Sequence, residues 1–253
     1  MCEDCGCGDH ELVPVEVQER ILAGNDHRAA HNREHFRGAG VVAINLMGSP
    51  GCGKTALLEA TARATGGRLR LTAMSGDLAT DRDAERLRAA GIPSTSITTG
   101  SACHLDAALV HRALHHMEGW RGSDYLFIEN VGNLVCPAVY DLGQDANVVA
   151  LSVTEGEDKP LKYPVMFHKA DLVVITKVDL LPHLPGVELE TFRDNLARVT
   201  PAPQVLAVSA VTGEGLEGWL GWLEGRQPAR AETLAAADPT PASRPAPTLE
   251  ERP

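Results

Sequence analysis

Apolar residues in this chain gather in short runs, and the polar stretches between them repeat with helical spacing. Seven runs predict strands: Val41–Met47, Leu69–Met74, Ser94–Thr98, Tyr125–Glu129, Val148–Val153, Leu172–Thr176 and Val205–Ser209. Five stretches between and after them predict helices: Gly53–Ala64, Asp81–Ala90, Leu105–Met117, Glu188–Val199 and Glu214–Glu224. A further helical pattern covers residues 15–36. The strand runs are nearly continuous Val, Ile and Leu, as in a sheet covered on both faces. Strand–helix alternation then predicts an α/β fold: a doubly wound, mostly parallel sheet with helices on both faces and ligands at the carboxyl ends of its strands.

The pattern changes towards both ends. Residues 1–37 are polar and rich in Cys and His, 38–225 carry the alternation, and 226–253 form an Ala/Pro/Thr-rich stretch with almost no large apolar side chain, expected to be disordered. The 253 residues thus divide into a metal-ligand-rich segment, one core-forming domain and a tail. Only 4% of residues are aromatic, so the core must be aliphatic. A net charge of −11 argues against nucleic-acid or anionic-membrane partners, which require basic surface. No apolar run approaches the ~18–20 residues of a membrane span, and the acidic start lacks the apolar stretch of a secretory signal. The six cysteines are spread over a mid-sized chain rather than packed into a small disulfide scaffold. The expectation is a cytoplasmic protein with reduced thiols.

Gly48-Ser-Pro-Gly-Cys-Gly-Lys54-Thr55 fits G-x-x-x-x-G-K-[ST] at every fixed position, between a predicted strand and a predicted helix. Such a loop turns backbone N–H groups towards phosphate oxygens, helped by the helix N-terminus behind it. The expected nucleotide contacts are Gly48, Gly51, Cys52, Gly53, Lys54, Thr55 and Ala56. Lys54 would neutralise the β- and γ-phosphates, and the Thr55 hydroxyl would ligate Mg²⁺. Two later segments favour guanine. In Thr176-Lys177-Val178-Asp179 the carboxylate can accept from guanine N1–H and its exocyclic amine, a donor pair adenine lacks, with Lys177 over the base and ribose. In Ser209-Ala210-Val211-Thr212-Gly213 backbone amides of Ser209, Ala210 and Val211 can donate to guanine O6. Thr176 stands where Asn is usual and loses the amide donor. Asp77 and Glu129 end two strands. Asp77 is expected at Mg²⁺ and at the attacking water, and Glu129 at the metal's water shell. The fold is therefore expected to be of P-loop GTPase type, with GTP and GDP as its nucleotides and Lys54, Asp77 and Glu129 as its catalytic groups.

Cys103-His104 and Cys136 follow strand ends on the same edge. Two thiolates and an imidazole suit Zn²⁺ or Ni²⁺, but a buried cysteine serves as often as a small hydrophobe. Cys2-Glu-Asp-Cys5-Gly-Cys7 can close three thiols around one ion. His27, His31 and His35 would share a helical face, where neighbouring pairs can chelate a metal, although a polar helix surface is the commoner use; His111, His115 and His116 read as exposed helix residues. Cys52 reads as a small packing side chain.

These motifs resemble the HypB family, SIMIBI-class GTPases of hydrogenase nickel incorporation. The likeness rests on Cys2-x-x-Cys5-Gly-Cys7, Gly48–Thr55, Gly100-Ser-Ala-Cys103-His104-Leu-Asp106, Glu129-Asn-Val-Gly-Asn-Leu-Val-Cys136-Pro137, Lys162–Asp171 and the guanine elements. Ser75 stands where the family usually has Glu before Gly-Asp. The resemblance implies a GTPase that dimerises with GTP and helps deliver Ni²⁺ to the [NiFe]-hydrogenase large-subunit precursor, beside the zinc protein HypA. It implies metal binding by Cys103, His104 and Cys136 near the dimer interface, and a nickel motif at Cys2, Cys5 and Cys7. Three other readings stay open. One is a urease nickel chaperone of UreG type, whose Cys-Pro-His motif differs from Cys103-His104 here. Another is a nickel-storage protein with vestigial GTPase activity. The third is a metal-responsive regulatory adaptor that recruits partners without turnover.

Overall fold

The computed structural model describes residues 15–77, 81–100, 102–200 and 203–226. Cys2, Cys5, Cys7 and the segment from 227 onwards lie outside the described residues. The strands are β1 (Val42–Gly48), β2 (Leu71–Asp77), β3 (Ser94–Thr98), β4 (Tyr125–Glu129), β5 (Ala146–Ser152), β6 (Leu172–Thr176) and β7 (Val205–Val208). The longer helices are α1 (Val15–Ala39), α2 (Lys54–Thr65), α3 (Arg82–Ala89), α4 (Ala107–His116), α7 (Leu189–Val199) and α8 (Leu216–Glu224), with short α5 (Lys159–Lys162) and α6 (Pro164–His168). The strands make one sheet in the order β3-β2-β4-β1-β5-β6-β7, and every pairing is parallel, so the predicted doubly wound sheet is parallel throughout. The spacing did not predict α5 and α6: helices of one turn carry no periodicity, and each starts with a proline in its first turn, where a missing N–H costs nothing.

Strand alternation sorts the core. Val42, Ile44 and Leu46 of β1 join a cluster with Leu57 and Leu58 of α2, Leu87 of α3, and Trp219 and Leu223 of α8. On the other face, Ala43 packs with Phe36 of α1 and Val110 and Leu114 of α4. Met47 faces the same way but joins Phe167 of α6 with Phe192 and Leu196 of α7. Both faces are thus covered by helices, which is why the strands contain so few polar positions. Trp219 is fully buried, donates its indole N–H to Thr61 Oγ1 on α2 (2.8 Å), and stacks on Trp222. Trp120 closes the opposite side, edge-on to Phe36.

α1 is fastened to the domain by polar bonds as well as by Phe36. Asn25 donates to the Asp141 carbonyl (2.8 Å) and accepts from Ala107 N (2.9 Å). Asn32, fully buried, donates to the carbonyls of Ala107 (2.9 Å) and Leu142 (3.1 Å). Arg33 pairs with Asp141 at 2.8 Å. The 141–143 turn approaches the helix so closely that a Cβ at Gly143 (φ +90) would sit 2.5 Å from Ala29 O and 2.8 Å from Asn32 Cβ. Among the described residues no helix is long and apolar enough to cross a membrane. We expect Gly143→Ala to lower stability by roughly 1–3 kcal/mol through strain and displaced α1 packing. Urea unfolding checks it; an unchanged midpoint would mean that α1 yields freely.

Candidate functional site

All seven strands end on one edge, and the loop after central β1 occupies the switch point of the sheet. Gly48 leaves β1 with φ +146, and a Cβ there would lie 2.4 Å from the Ala150 carbonyl and 2.6 Å from Cys52 Sγ. Gly53, left-handed at φ 97, caps α2. Lys54 is buried and donates from Nζ to the carbonyls of Gly48 (3.3 Å) and Ser49 (3.2 Å), which holds its ammonium against the loop. Cys52 is fully buried. Burial pushes its thiol up, with Lys54 pulling the other way, so it packs as an unreactive small side chain.

Beside the loop lies an acidic group. Thr55 Oγ1 is 2.8 Å from Glu129 Oε1 and 3.0 Å from Asp83 Oδ1. One hydroxyl proton serves only one of these carboxylates at a time. Glu129 Oε2 is buried with no hydrogen-bond partner among the described residues. Asp77 ends β2, two residues beyond the Ser75–Glu129 register pair, and its carbonyl accepts from Thr99 N (3.0 Å). Among these acids Glu129 and Asp83 are acceptors of the Thr55 hydroxyl, and the sequence motifs do not point to Asp83. Asp83 lies in the charged run Asp81-Arg-Asp-Ala-Glu-Arg, where nothing in the residue order marks one acid above its neighbours.

The third part follows β6 and β7. Thr176 Oγ1 donates to the Cys52 carbonyl (2.5 Å), and Lys177, left-handed at φ 61, donates from Nζ to Gly51 O (2.6 Å). The Thr in place of Asn thus ties this segment to the phosphate loop through its hydroxyl. Asp179 Oδ1 accepts from Ser209 Oγ (2.6 Å), which in turn accepts from the Val211 and Thr212 amides (3.2 and 3.0 Å). Ser209 therefore aims the Asp179 carboxylate, and the Val211 amide shapes the loop that carries Ala210.

The thiols meet on the same edge. Cys103 and Cys136 are unbridged, with Sγ atoms 2.9 Å apart, and Cys103 Sγ is 3.8 Å from His104 Nδ1. Ligand atoms of Cys103, His104 and Cys136 lie within 4.8 Å of one another. His104 stacks on Tyr140 at 3.9 Å, which fixes its ring plane. The segment between Glu129 and Cys136 touches both regions. Asn130 accepts at Oδ1 from Leu105 N (3.1 Å), next to His104, and donates to Asn45 on β1 (3.1 Å). Asn133 pairs its backbone with Gly48 of the phosphate loop and donates from Nδ2 to Cys103 O (3.4 Å).

The CobW/HypB/UreG nucleotide-binding domain family matches residues 42–207. A hydrogenase maturation factor HypB from Azotobacter chroococcum mcd 1 is 50% identical over 216 residues, covering 85% of this chain and 70% of the relative. The chain belongs to the HypB family. Two solved HypB structures share its fold. The Archaeoglobus fulgidus structure has 41% identity and a TM-score of 0.75, covering 81% of this chain and all of that one. The Helicobacter pylori structure, in complex with nickel, has 39% identity and a TM-score of 0.77, covering 81% and 95%. In this HypB-family chain the residues singled out for nucleotide and for internal metal all fall on the one sheet edge.

Burial pushes the Glu129 carboxyl up from 4.5 to about 7, against Lys54 and the Thr55 bond, which pull it down. The folded state thus holds a proton that the unfolded state releases. The associated stability is full below about pH 4.5 and is lost as pH rises through about 7. In EDTA, Glu129→Gln should gain on the parent protein between those limits, by up to about 3 kcal/mol. Urea unfolding across that range checks it, and a pH-independent difference would contradict it.

Proposed function

We propose that this chain is a GTP-hydrolysing nickel metallochaperone that helps insert Ni²⁺ into [NiFe]-hydrogenase, its nucleotide state coupled to dimerisation and to metal binding. The observation that carries the reading is the 129–136 segment, which bonds to the phosphate loop at Gly48 and to the Cys103 loop at Asn133, and ends in Cys136. A shift made at the γ-phosphate would move a metal ligand directly. The family placement and the nickel complex of the Helicobacter pylori relative support it.

The residues divide the work. The amides of the phosphate loop and Lys54 take the phosphates. Asp179, aimed by Ser209, accepts from guanine, and Lys177 flanks the base. Magnesium fits the acidic group on the chemistry of the donors: a buried carboxylate oxygen without a partner, a second carboxylate and one hydroxyl are hard oxygen ligands with an excess of negative charge. Thr55, Asp77 and Glu129 would hold it, Asp83 would orient Thr55, and the ion would offset phosphate charge. Asp77 would align the attacking water.

Cys103, His104 and Cys136 are the internal site for the Ni²⁺ cargo, or for Zn²⁺. Three ligands leave room for donors from a second chain. Val135 (57% exposed) and Val139 (38%) flank Cys136 and suit a GTP-dependent homodimer across this edge. Cys2, Cys5 and Cys7 would be a second thiol site in the 1–37 segment, ahead of the GTPase domain at 38–225 and the tail at 226–253. A HypA-like zinc/nickel chaperone and the hydrogenase large-subunit precursor are the proposed partners, in the cytoplasm.

The test measures GTP turnover with Mg²⁺, and Ni²⁺ affinity and mass with GDP or a non-hydrolysable GTP analogue. Turnover with nucleotide-dependent affinity is expected; Ni²⁺ retention without turnover would favour storage. Asn133→Ala should leave turnover within a few-fold of the parent yet flatten the nucleotide dependence of Ni²⁺ affinity. An unchanged dependence would break the coupling. Asp179→Asn should weaken GTP by about 100-fold or more, two charge-assisted bonds being lost, and should favour xanthosine triphosphate, whose C2 oxygen accepts from the new amide. Competition binding between the two nucleotides decides it.

A further inference from the structure

The helical spacing of His31 with His35 and of His111 with His115 reads as two polar helix surfaces. The fold turns those surfaces towards each other. α1 and α4 pack side by side, and the four rings form one cluster. Centroid separations are 4.5 Å (His31–His35), 5.1 Å (His31–His111), 5.6 Å (His35–His111), 4.6 Å (His111–His115) and 6.0 Å (His35–His115). Ligand nitrogens of His31, His35 and His111 lie within 4.8 Å of one another.

The hydrogen bonds assign the free lone pairs. Asn32 donates from Nδ2 to the Ala107 and Leu142 carbonyls, so its Oδ1 is fixed as an acceptor. His111 Nδ1 lies 3.0 Å from that oxygen and must carry the proton. A neutral His111 then presents the lone pair of Nε2 to the cluster, oriented from behind as a ligating histidine is. His115 Nε2, 3.1 Å away, donates to that lone pair and is displaceable by rotation at an exposed position. His35 Nε2 is buried with no hydrogen-bond partner among the described residues, a desolvated nitrogen that a fourfold imidazole stack alone leaves unused. Burial, chiefly, lowers the His35 and His111 pKa values, and the neighbouring imidazoles of the cluster act in the same direction. Of the charged neighbours, Arg28 and Arg121 oppose a cation and Glu34 favours one.

We infer that His31, His35 and His111, with His115 as a fourth ligand, form an interhelical site for a borderline divalent cation such as Zn²⁺ or Ni²⁺. All-imidazole sets select such ions over Mg²⁺ and Ca²⁺. A tetrahedral shell with bonds of ~2.0–2.1 Å brings its nitrogens to about 3.4 Å apart, so the cluster closes by roughly an ångström of side-chain rotation. The site is separate from Cys103, His104 and Cys136, and its ligands come from two elements far apart in the chain. Binding would clamp α1 onto α4, the helix whose N-terminus follows Cys103-His104.

The test uses the full chain with Cys2, Cys5, Cys7, Cys103 and Cys136 changed to Ser, and Zn²⁺, Ni²⁺ or Co²⁺ alone as probes. Equilibrium dialysis should find one ion per chain. Co²⁺ should show ligand-field bands without thiolate charge transfer, and Zn²⁺ at a hundredfold excess over its Kd should raise Tm by about 5–10 °C. His35→Gln with His111→Gln should abolish all three. His31→Gln, at an exposed position, should weaken binding at least about 10-fold with the fold intact. His27→Gln with His116→Gln should change nothing. No bound ion in the cysteine-depleted chain, or binding that survives the His35/His111 pair, overturns the site. None of these readouts depends on GTP turnover.

Discussion

One buried amide holds the functional edge together. Asn130 follows Glu129 at the end of β4, where its side chain joins β1 through Asn45 and the Cys103 loop through Leu105, while also bonding Val131 N. A buried carboxamide is stable only when its donors and acceptors are matched, so each of these bonds fixes the position of the others. The strand that presents Glu129 to the phosphate loop and the loop that presents Cys103 to Cys136 therefore share one frame. Asn133 adds the next link, by pairing with Gly48. The phosphate loop and the thiol pair are neighbours because a single chain segment is stitched to both.

The two halves of that frame differ in electrical character. At the phosphate loop, Lys54 and Lys177 are satisfied by backbone carbonyls, so the positive charges are held in place in advance. At the acidic group, Thr55 has one proton for two carboxylates, and a Glu129 oxygen is left over. The first half is preorganised for an anion, the second short of a cation. A polyanion at the first half and a cation at the second would answer both imbalances, which is the physical content of the arrangement.

Much of this was legible in the residues. Buried parallel strands announce themselves as aliphatic runs, and the loop Gly48–Thr55 has few other uses. Local spacing placed His31 with His35 and His111 with His115, but it carried no information on α1 meeting α4, since contacts across tens of residues are set by topology. Asp83 was hidden for a related reason, as one acid among several whose selection depends on how α3 leaves β2. Thr176 showed the limit of substituting by analogy. Its lost amide was readable, but its hydroxyl bond to Cys52 required the fold.

The scarcity of aromatics has a practical side. The chain has three tryptophans. Trp120 lies in the cluster that joins α1 to α4, against Phe36. Trp219 lies in the opposite layer, bonded to the helix that begins at Lys54, with Trp222 stacked beside it. The indoles thus divide between the two faces of the sheet. The protein carries an intrinsic fluorescent reporter on each side, one sensing the histidine-lined helix pair and one sensing the phosphate-loop helix, without any label having to be attached.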